Sequence, residues 1–205
     1  MEQQPDDRNL TWHHGLIDRN DRNRFNGHRS GVIWMTGFSA SGKSTLAHAM
    51  ESRLFHDRIR VYVLDGDNVR HGLNKDLGFS KADRNENLRR VAEVAKLFCD
   101  AGIVVFSAFI SPYRSDRELA RASIGDEDFH EVYVKCPIEV CEARDPKGIY
   151  KKARRGNIAR FTGISDPYEA PENPDLVLET DKFGIDQCIE QFCDYLRKEG
   201  LIRGE

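Results

Sequence analysis

The sequence has no surplus of positive charge: 31 Lys and Arg stand against 34 Asp and Glu, for a formal net charge of −3. General nucleic-acid and membrane-surface binders carry a basic excess, so neither class is expected. It also has no stretch approaching the ~18 consecutive apolar residues of a membrane span. The segment after Met1, EQQPDDRNL, is polar and acidic, so a secretory leader is not expected and a cytoplasmic location is. The five cysteines (Cys99, Cys136, Cys141, Cys188 and Cys193) form no CxxC pair and no metal-ligand spacing, and read as reduced core thiols. Sixteen Gly and seven Pro are too few for a fibrous or disordered chain. Repeats and low-complexity tracts are absent, and 205 residues suit one domain.

What the sequence does have is an alternation of short apolar runs with amphipathic stretches. Val32–Met35, Val61–Leu64, Ile103–Phe109, Glu131–Lys135 and Leu176–Leu178 read as five buried strands. Helical spacing fits Lys43–Phe55, a long helix capped by Asp83 and running to about Ala101, Ser115–Ser123, Ile138–Arg144 and Ile185–Glu199. Such alternation implies a parallel sheet covered by helices on both faces, with ligands at the carboxyl ends of the strands. Residues 1–30 read as a polar N-terminal arm or irregular lead-in, and 31–205 as the domain proper. Between 145 and 174 lie Lys147, Lys151, Lys152, Arg154, Arg155 and Arg160, then three prolines, with little apolar periodicity. This stretch is expected to be a basic lid that closes over anionic substrates and excludes water.

Gly37-Phe38-Ser39-Ala40-Ser41-Gly42-Lys43-Ser44 matches GxxxxGK[ST] in full, directly after the first strand and directly before a helix. Glycines there let the backbone curl so that N–H groups face the β- and γ-phosphates of ATP, and the helix N-terminus adds its dipole. Lys43 is expected to bridge phosphate oxygens, and Ser44 to ligate Mg²⁺. Asp65-Gly66-Asp67 ends the second strand. One of its carboxylates can hold the metal through water while the other accepts a hydroxyl proton, with Asp67 favoured as base and Asp65 on the metal side. A plain polar turn or helix cap uses the same residues. Arg70, Arg84, Arg89, Arg90, Arg114 and Arg117 are candidates for forked contacts to phosphate or sulfate oxygens, with Arg89 and Arg90 expected to include a surface ion-pairing group. Asn74-Lys75-Asp76-Leu77 is not the guanine-reading NKxD, because Leu77 stands where that motif needs Asp. His13-His14 cannot converge on one metal from a helix or a strand.

Taken in order, these blocks resemble the adenylylsulfate kinase family. The match runs from Trp12-His13 to the last helix through GFSASGKST (37–45), LDGDNVRHGLNKDLGF (64–79), DRNENLRR (83–90), FISPYR (109–114), RDPKGIYKKAR (144–154) and FTGISDPYEAP (161–171). The resemblance implies a three-layer α/β/α fold of the P-loop NTPase type, with a five-stranded parallel sheet. It implies transfer of the ATP γ-phosphoryl group to the 3′-hydroxyl of adenylylsulfate, with Mg²⁺, in a stand-alone homodimer. ATP would be held by Gly37, Ser39, Ala40, Ser41, Gly42, Lys43, Ser44 and Thr45, with Arg144 near its base. Adenylylsulfate would meet Asp67, Asn68, Val69, Arg70, Phe79, Arg84, Asn87, Ile110, Ser111, Lys147, Arg160 and Phe161. Phe79 and Phe161 can sandwich a purine. Lys43, Asp67, Ser111 and Lys147 would be the catalytic set, Ser111 without a required covalent intermediate, since P-loop kinases transfer in line. Many family members carry Gly where Ala40 stands. The competing readings are a sugar-acid P-loop kinase and a non-catalytic regulatory module; the latter tends to lose the cradle, which is intact here.

Overall fold

A computed structural model describes residues 10, 11, 13 and 15–203. Trp12 and His14, and with them the first residues of the family resemblance and the adjacent-histidine pair, lie outside the described residues. Among the described residues the strands β1 (Gly31–Thr36), β2 (Val61–Asp65), β3 (Val104–Ala108), β4 (Phe129–Lys135) and β5 (Leu176–Glu179) form one parallel sheet in the order β2-β3-β1-β4-β5. The helices are α1 (Arg19–Asn26), α2 (Lys43–His56), α3 (Gly66–His71), α4 (Lys81–Asp100), α5 (Arg114–Ile124), α6 (Ile138–Arg144), α7 (Ile149–Arg154) and α8 (Ile185–Lys198).

β1 is the central strand and is buried along its whole length, which is why it reads as an unbroken apolar run rather than an alternating one. Its residues feed two cores. Ile33 and Met35 point to one face and pack with Leu46, Met50 and Leu54 of α2 and with Phe192 and Leu196 of α8. Val32 and Trp34 point to the other, among Leu88, Val91 and Ala95 of α4 and Ala120 and Ile124 of α5. The Trp34 indole stacks between Phe109 and Phe129, with ring centroids 6.2 and 5.7 Å away. The result is the expected three-layer α/β/α arrangement. Crossovers from β1 and β2 place residues 37–44 and 65–67 side by side at the carboxyl edge, with 109–112 beyond β3.

Three local expectations are revised. Helix α4 is capped by Ser80, whose hydroxyl accepts from the Asp83 N–H at 3.1 Å; Asp83 sits three residues in and accepts from Ser80 Oγ. Ser and Asp cap equally well, so only the geometry separates them. Residues 19–26 of the polar lead-in form helix α1, closed by an Asp18–Asp21 capping box and ended by Gly27 at φ 72°. No residue of this helix is buried; polar ties such as Arg19 to Asp128 and Asn26 to the Gly102 carbonyl dock it, and an apolar-periodicity reading is blind to those. Finally, the 145–174 stretch has a core of its own: Tyr150, Ala153 and Phe161 pack with Cys136 and Cys141, flanked by Phe38, Ile138, Ile149, Ile158 and Ile164.

Candidate active site

The cradle begins where β1 ends. Gly37 has φ 151°, and a Cβ there would lie 2.4 Å from the Val134 carbonyl, so only glycine lets the loop leave the sheet this close to β4. Ala40 is at φ 60°, a conformation L side chains adopt with strain. Ser41 is fully buried and its carbonyl accepts from Thr180 Oγ1 at 2.7 Å. Arg144 closes the flank, donating to the Thr180 carbonyl at 2.6 Å and its hydroxyl at 3.2 Å, and reaching the Ala40 carbonyl at 3.5 Å. Thr180 follows β5 directly, so the carboxyl-edge rule that found the other segments points to it as well; the sequence reading passed over it.

Lys43, in the first turn of α2, folds back over the loop mouth and donates to the Gly37 and Phe38 carbonyls at 2.8 and 2.7 Å. Burial pushes its pKa down to about 8. Ser44 Oγ donates to Asp65 Oδ2 at 2.6 Å, and Asp65 Oδ1 accepts from the Asp67 N–H at 2.9 Å. Asp65 therefore does two jobs that the sequence left as alternatives: it caps α3 and it faces the P-loop serine. This pair of oxygen ligands fits a magnesium ion, which prefers one or two protein oxygens completed by water and phosphate. Among the described residues no group of three His, Cys, Asp or Glu forms a protein-only metal cage.

Two residues past Asp65, the Asp67 carboxylate projects from α3 and pairs with the Lys147 ammonium from the 145–174 segment. Both side chains are mostly exposed, so this contact contributes little to stability and brings charged groups together over the cleft. Ser39 is half-buried in the loop and Thr45 is exposed in the first turn of α2; Asn68, beside Asp67, is exposed, and Val69 packs inward. The 145–174 segment is tied to the cradle by Tyr150, whose hydroxyl donates to the Ser39 carbonyl at 3.0 Å. Tyr168 adds a second tie: its hydroxyl lies 3.0 Å from Thr36 Oγ1 and its ring 4.7 Å from Phe38. The apolar Ile149-Tyr150 pair amid lysines was the available signal for the first; nothing local marks the second.

On the far side, the Arg70 guanidinium lies 4.4 Å from the centre of the Phe79 ring and donates to the Leu77 and Gly78 carbonyls. Arg84 donates to the carbonyls of Phe79 (3.0 Å) and Arg160 (2.7 Å), so one side chain joins the segments bearing the two predicted stacking rings. The rings themselves differ: Phe79 is 69% exposed, whereas Phe161 is 8% exposed and packs edge-on against Tyr150 with centroids 4.9 Å apart. Arg160 is exposed at φ 54°. Asn87 is buried and accepts from Asn74 at 2.9 Å, which gives the failed NKxD stretch a structural role. Thr36 donates to the Ile110 carbonyl at 2.7 Å. Ser111 stands at φ 36° and is 2% exposed, its hydroxyl accepting from Trp34 Nε1 at 3.2 Å. The hydroxyl is therefore turned into the protein rather than into the cleft. Of the other arginines, Arg89 and Arg90 both bind Glu86, and Arg114 and Arg117 bind Glu172 and Glu131; none of the four offers a free fork to an anion.

A parallel sheet with this cradle, its lysine and serine, and an Asp-Gly-Asp edge defines a P-loop phosphotransferase. The family model described as adenylylsulphate kinase matches residues 29–179. A probable adenylyl-sulfate kinase of Bacillus subtilis is 54% identical over 194 residues, covering 95% of this chain and 98% of the relative. An adenylyl-sulfate kinase of Staphylococcus epidermidis is 55% identical over 193 residues, 94% of this chain and 97% of the relative. The solved APS kinase of Mycobacterium tuberculosis in complex with AMPPNP and APS is 50% identical at a TM-score of 0.80, covering 83% of this chain and 99% of that one. The chain belongs to the adenylylsulfate kinase family.

Proposed function

We propose that this kinase transfers the γ-phosphoryl group of ATP to the 3′-hydroxyl of adenylylsulfate (APS), giving 3′-phosphoadenylylsulfate and ADP. One observation carries the reading: Asp65 faces Ser44 on the cradle, while Asp67, two residues on, faces the lysine of the 145–174 segment. Donor and acceptor machinery thus meet on one three-residue edge.

In the roles that follow from this, ATP phosphates lie on the N–H groups of 37–45, and Lys43 exchanges its two loop carbonyls for phosphate oxygens. Ser44 and Asp65 would hold a magnesium ion, which would supply charge neutralisation at the nucleotide's phosphates. Asp67 accepts the proton of the attacking hydroxyl. Lys147 releases Asp67 as substrate enters and follows the charge of the transferring group; nothing covalent is asked of the protein, so catalysis is positioning and electrostatics. Arg144 borders the nucleotide base. Adenylylsulfate sits against Phe79 and Phe161, with Arg70, Asn68, Val69, Asn87, Ile110 and Arg160 around it. Arg84 holds the two ring-bearing segments together. Ser111 acts by shaping the 110–112 turn rather than as a phosphoryl carrier. The catalytic domain is read as 31–205 after an arm of 1–30, with 145–174 as lid, and the enzyme as a cytoplasmic homodimer.

The test is an ADP-release assay with APS, beside adenosine monophosphate and gluconate as alternative acceptors. ADP release with APS alone is expected, and its abolition in Lys43→Ala with unfolding unchanged. Turnover of gluconate but not APS would replace this reading with that of a sugar-acid kinase. Among the described residues no helix is long and apolar enough to cross a membrane.

A further inference from the structure

Arg117, in the first turn of α5, is the one buried arginine among the described residues, its side chain 3% exposed. A guanidinium out of water has to bond its N–H groups inside the protein. Arg117 does so in three directions. Nε donates to Glu131 Oε1 of β4 at 2.6 Å, Nη1 to the Ser111 carbonyl at 2.7 Å, and Nη2 to the Glu169 carbonyl at 2.8 Å. Glu131 balances the charge, which leaves two arms of the fork to set backbone. The fork is planar and rigid, so it fixes those two carbonyls relative to each other as a lysine ammonium could not.

The two carbonyls belong to segments far apart in sequence. Ser111 lies in the turn that leaves β3 at the carboxyl edge of the sheet, and Glu169 lies near the end of 145–174. Ser111 stands at φ 36°, a conformation that persists only where the surroundings over-determine it. Thr36 Oγ1 holds the preceding Ile110 carbonyl at 2.7 Å and Trp34 Nε1 the Ser111 hydroxyl at 3.2 Å, but both reach the turn from β1. The Glu169 N–H donates to the Pro112 carbonyl at 2.8 Å, so turn and segment touch directly. Arg117 adds what that loop-to-loop bond lacks, a tie from both segments to a helix and a central-sheet strand. A binding site carried on two loops is only as well placed as the rigid elements beneath them.

We propose that Arg117 is a positioning residue of the acceptor site: its fork sets the 110–112 turn against residues 168–170 and so tunes the affinity for adenylylsulfate without contacting it. This rests on the adenylylsulfate reading above and deepens it. The donor side has supports of its own in Thr180 and Tyr150, which bond the Ser41 and Ser39 carbonyls, so ATP should not feel the change.

Steady-state kinetics on the full chain test it. Arg117→Lys keeps a cation beside Glu131 but cannot bridge both carbonyls. It should raise KM for APS at least tenfold, with KM for ATP within twofold and kcat at saturating APS within threefold. Arg117→Met combined with Glu131→Met replaces the buried ion pair by apolar side chains, an exchange that folds tolerate well, and should show the same split. Cooperative thermal unfolding and unaltered ADP affinity are expected of both variants. A merely structural role would lower the active fraction, and with it kcat, leaving both KM values where they were. That outcome, a KM for APS within twofold of wild type in either variant, or a parallel loss of ADP and APS binding, overturns the proposal. A wild type that releases no ADP with APS removes the adenylylsulfate reading and this inference together; the variants decide the inference alone.

Discussion

Lys43 gives the sharpest pH signature in the molecule. Its ammonium is buried against loop carbonyls, and that burial lowers its pKa from an ordinary 10.5 to about 8. A shift of that size corresponds to about 3 kcal/mol held against the charged form. Between pH 8 and pH 10.5 the unfolded chain keeps this proton and the folded, nucleotide-free protein does not, so this group makes stability rise with pH across that window. Nucleotide binding reverses the preference, because phosphate oxygens hold the ammonium. Binding above pH 8 must then take up a proton. At pH 9 ADP binding should absorb about 0.9 proton, against about 0.1 at pH 7, and affinity should weaken about fivefold from pH 8 to pH 9. Isothermal titration calorimetry in buffers of different ionisation enthalpy reads the proton count directly. Lys43→Arg keeps the charge at every accessible pH and should show no uptake. Proton-independent binding by the wild type at pH 9, or an unchanged pH slope in Lys43→Arg, would refute the reasoning.

Ala40→Gly relieves a left-handed alanine at φ 60° and should stabilise the chain by about 0.5 kcal/mol in urea unfolding, the strain relief being partly offset by the freedom glycine gains when unfolded. Arg84→Ala unties Phe79 from Arg160, and should raise KM for adenylylsulfate at least tenfold while ADP affinity, by titration, stays within twofold. Tyr150→Phe removes the hydroxyl that holds the Ser39 carbonyl; amide exchange in 145–174 should quicken, with a stability loss of about 1 kcal/mol. Burial depresses the pKa of both His28 and His130, so the unfolded chain binds more protons below the ordinary histidine value and stability should fall as pH drops from 6.5 towards 5. His28→Gln should flatten part of that fall, because the wild-type ring loses its acceptance of the Arg60 N–H on protonation.

The sheet was legible because a strand buried on both faces must be a continuous apolar run, and β1 is one. The cradle was legible because its mechanism demands glycine at fixed offsets between a strand and a helix. What escaped the sequence is what polar and mixed contacts build. Helix α1 has no apolar face to read, Thr180 and Arg117 reach backbone carbonyls that only the fold brings near, and Tyr168 meets the Thr36 hydroxyl in the same way. The proposed pairing of Phe79 and Phe161 was legible as chemistry but not as geometry: one ring is exposed beside the Arg70 guanidinium and the other is held in the 145–174 segment's own core.

That asymmetry bears on how the two substrates communicate. Phe161 and Tyr150 pack in the same small core as Phe38 and Ala40, two residues of the phosphate cradle. Gly163 is part of the same contact: a Cβ there would lie 2.7 Å from the Phe38 ring, so the 145–174 segment and the cradle pack in close contact. A close-packed cluster does not deform smoothly, and a change in cradle backbone as phosphates bind must be met by the residues of 145–174 against it. The ring that would stack on the acceptor's purine is therefore set in part by the loop that grips the donor. A surface lid held only by its lysines would have no such dependence, since exposed ion pairs such as Lys147 with Asp67 break at little cost. On the proposed roles, the apolar residues within the basic segment join acceptor recognition to nucleotide binding.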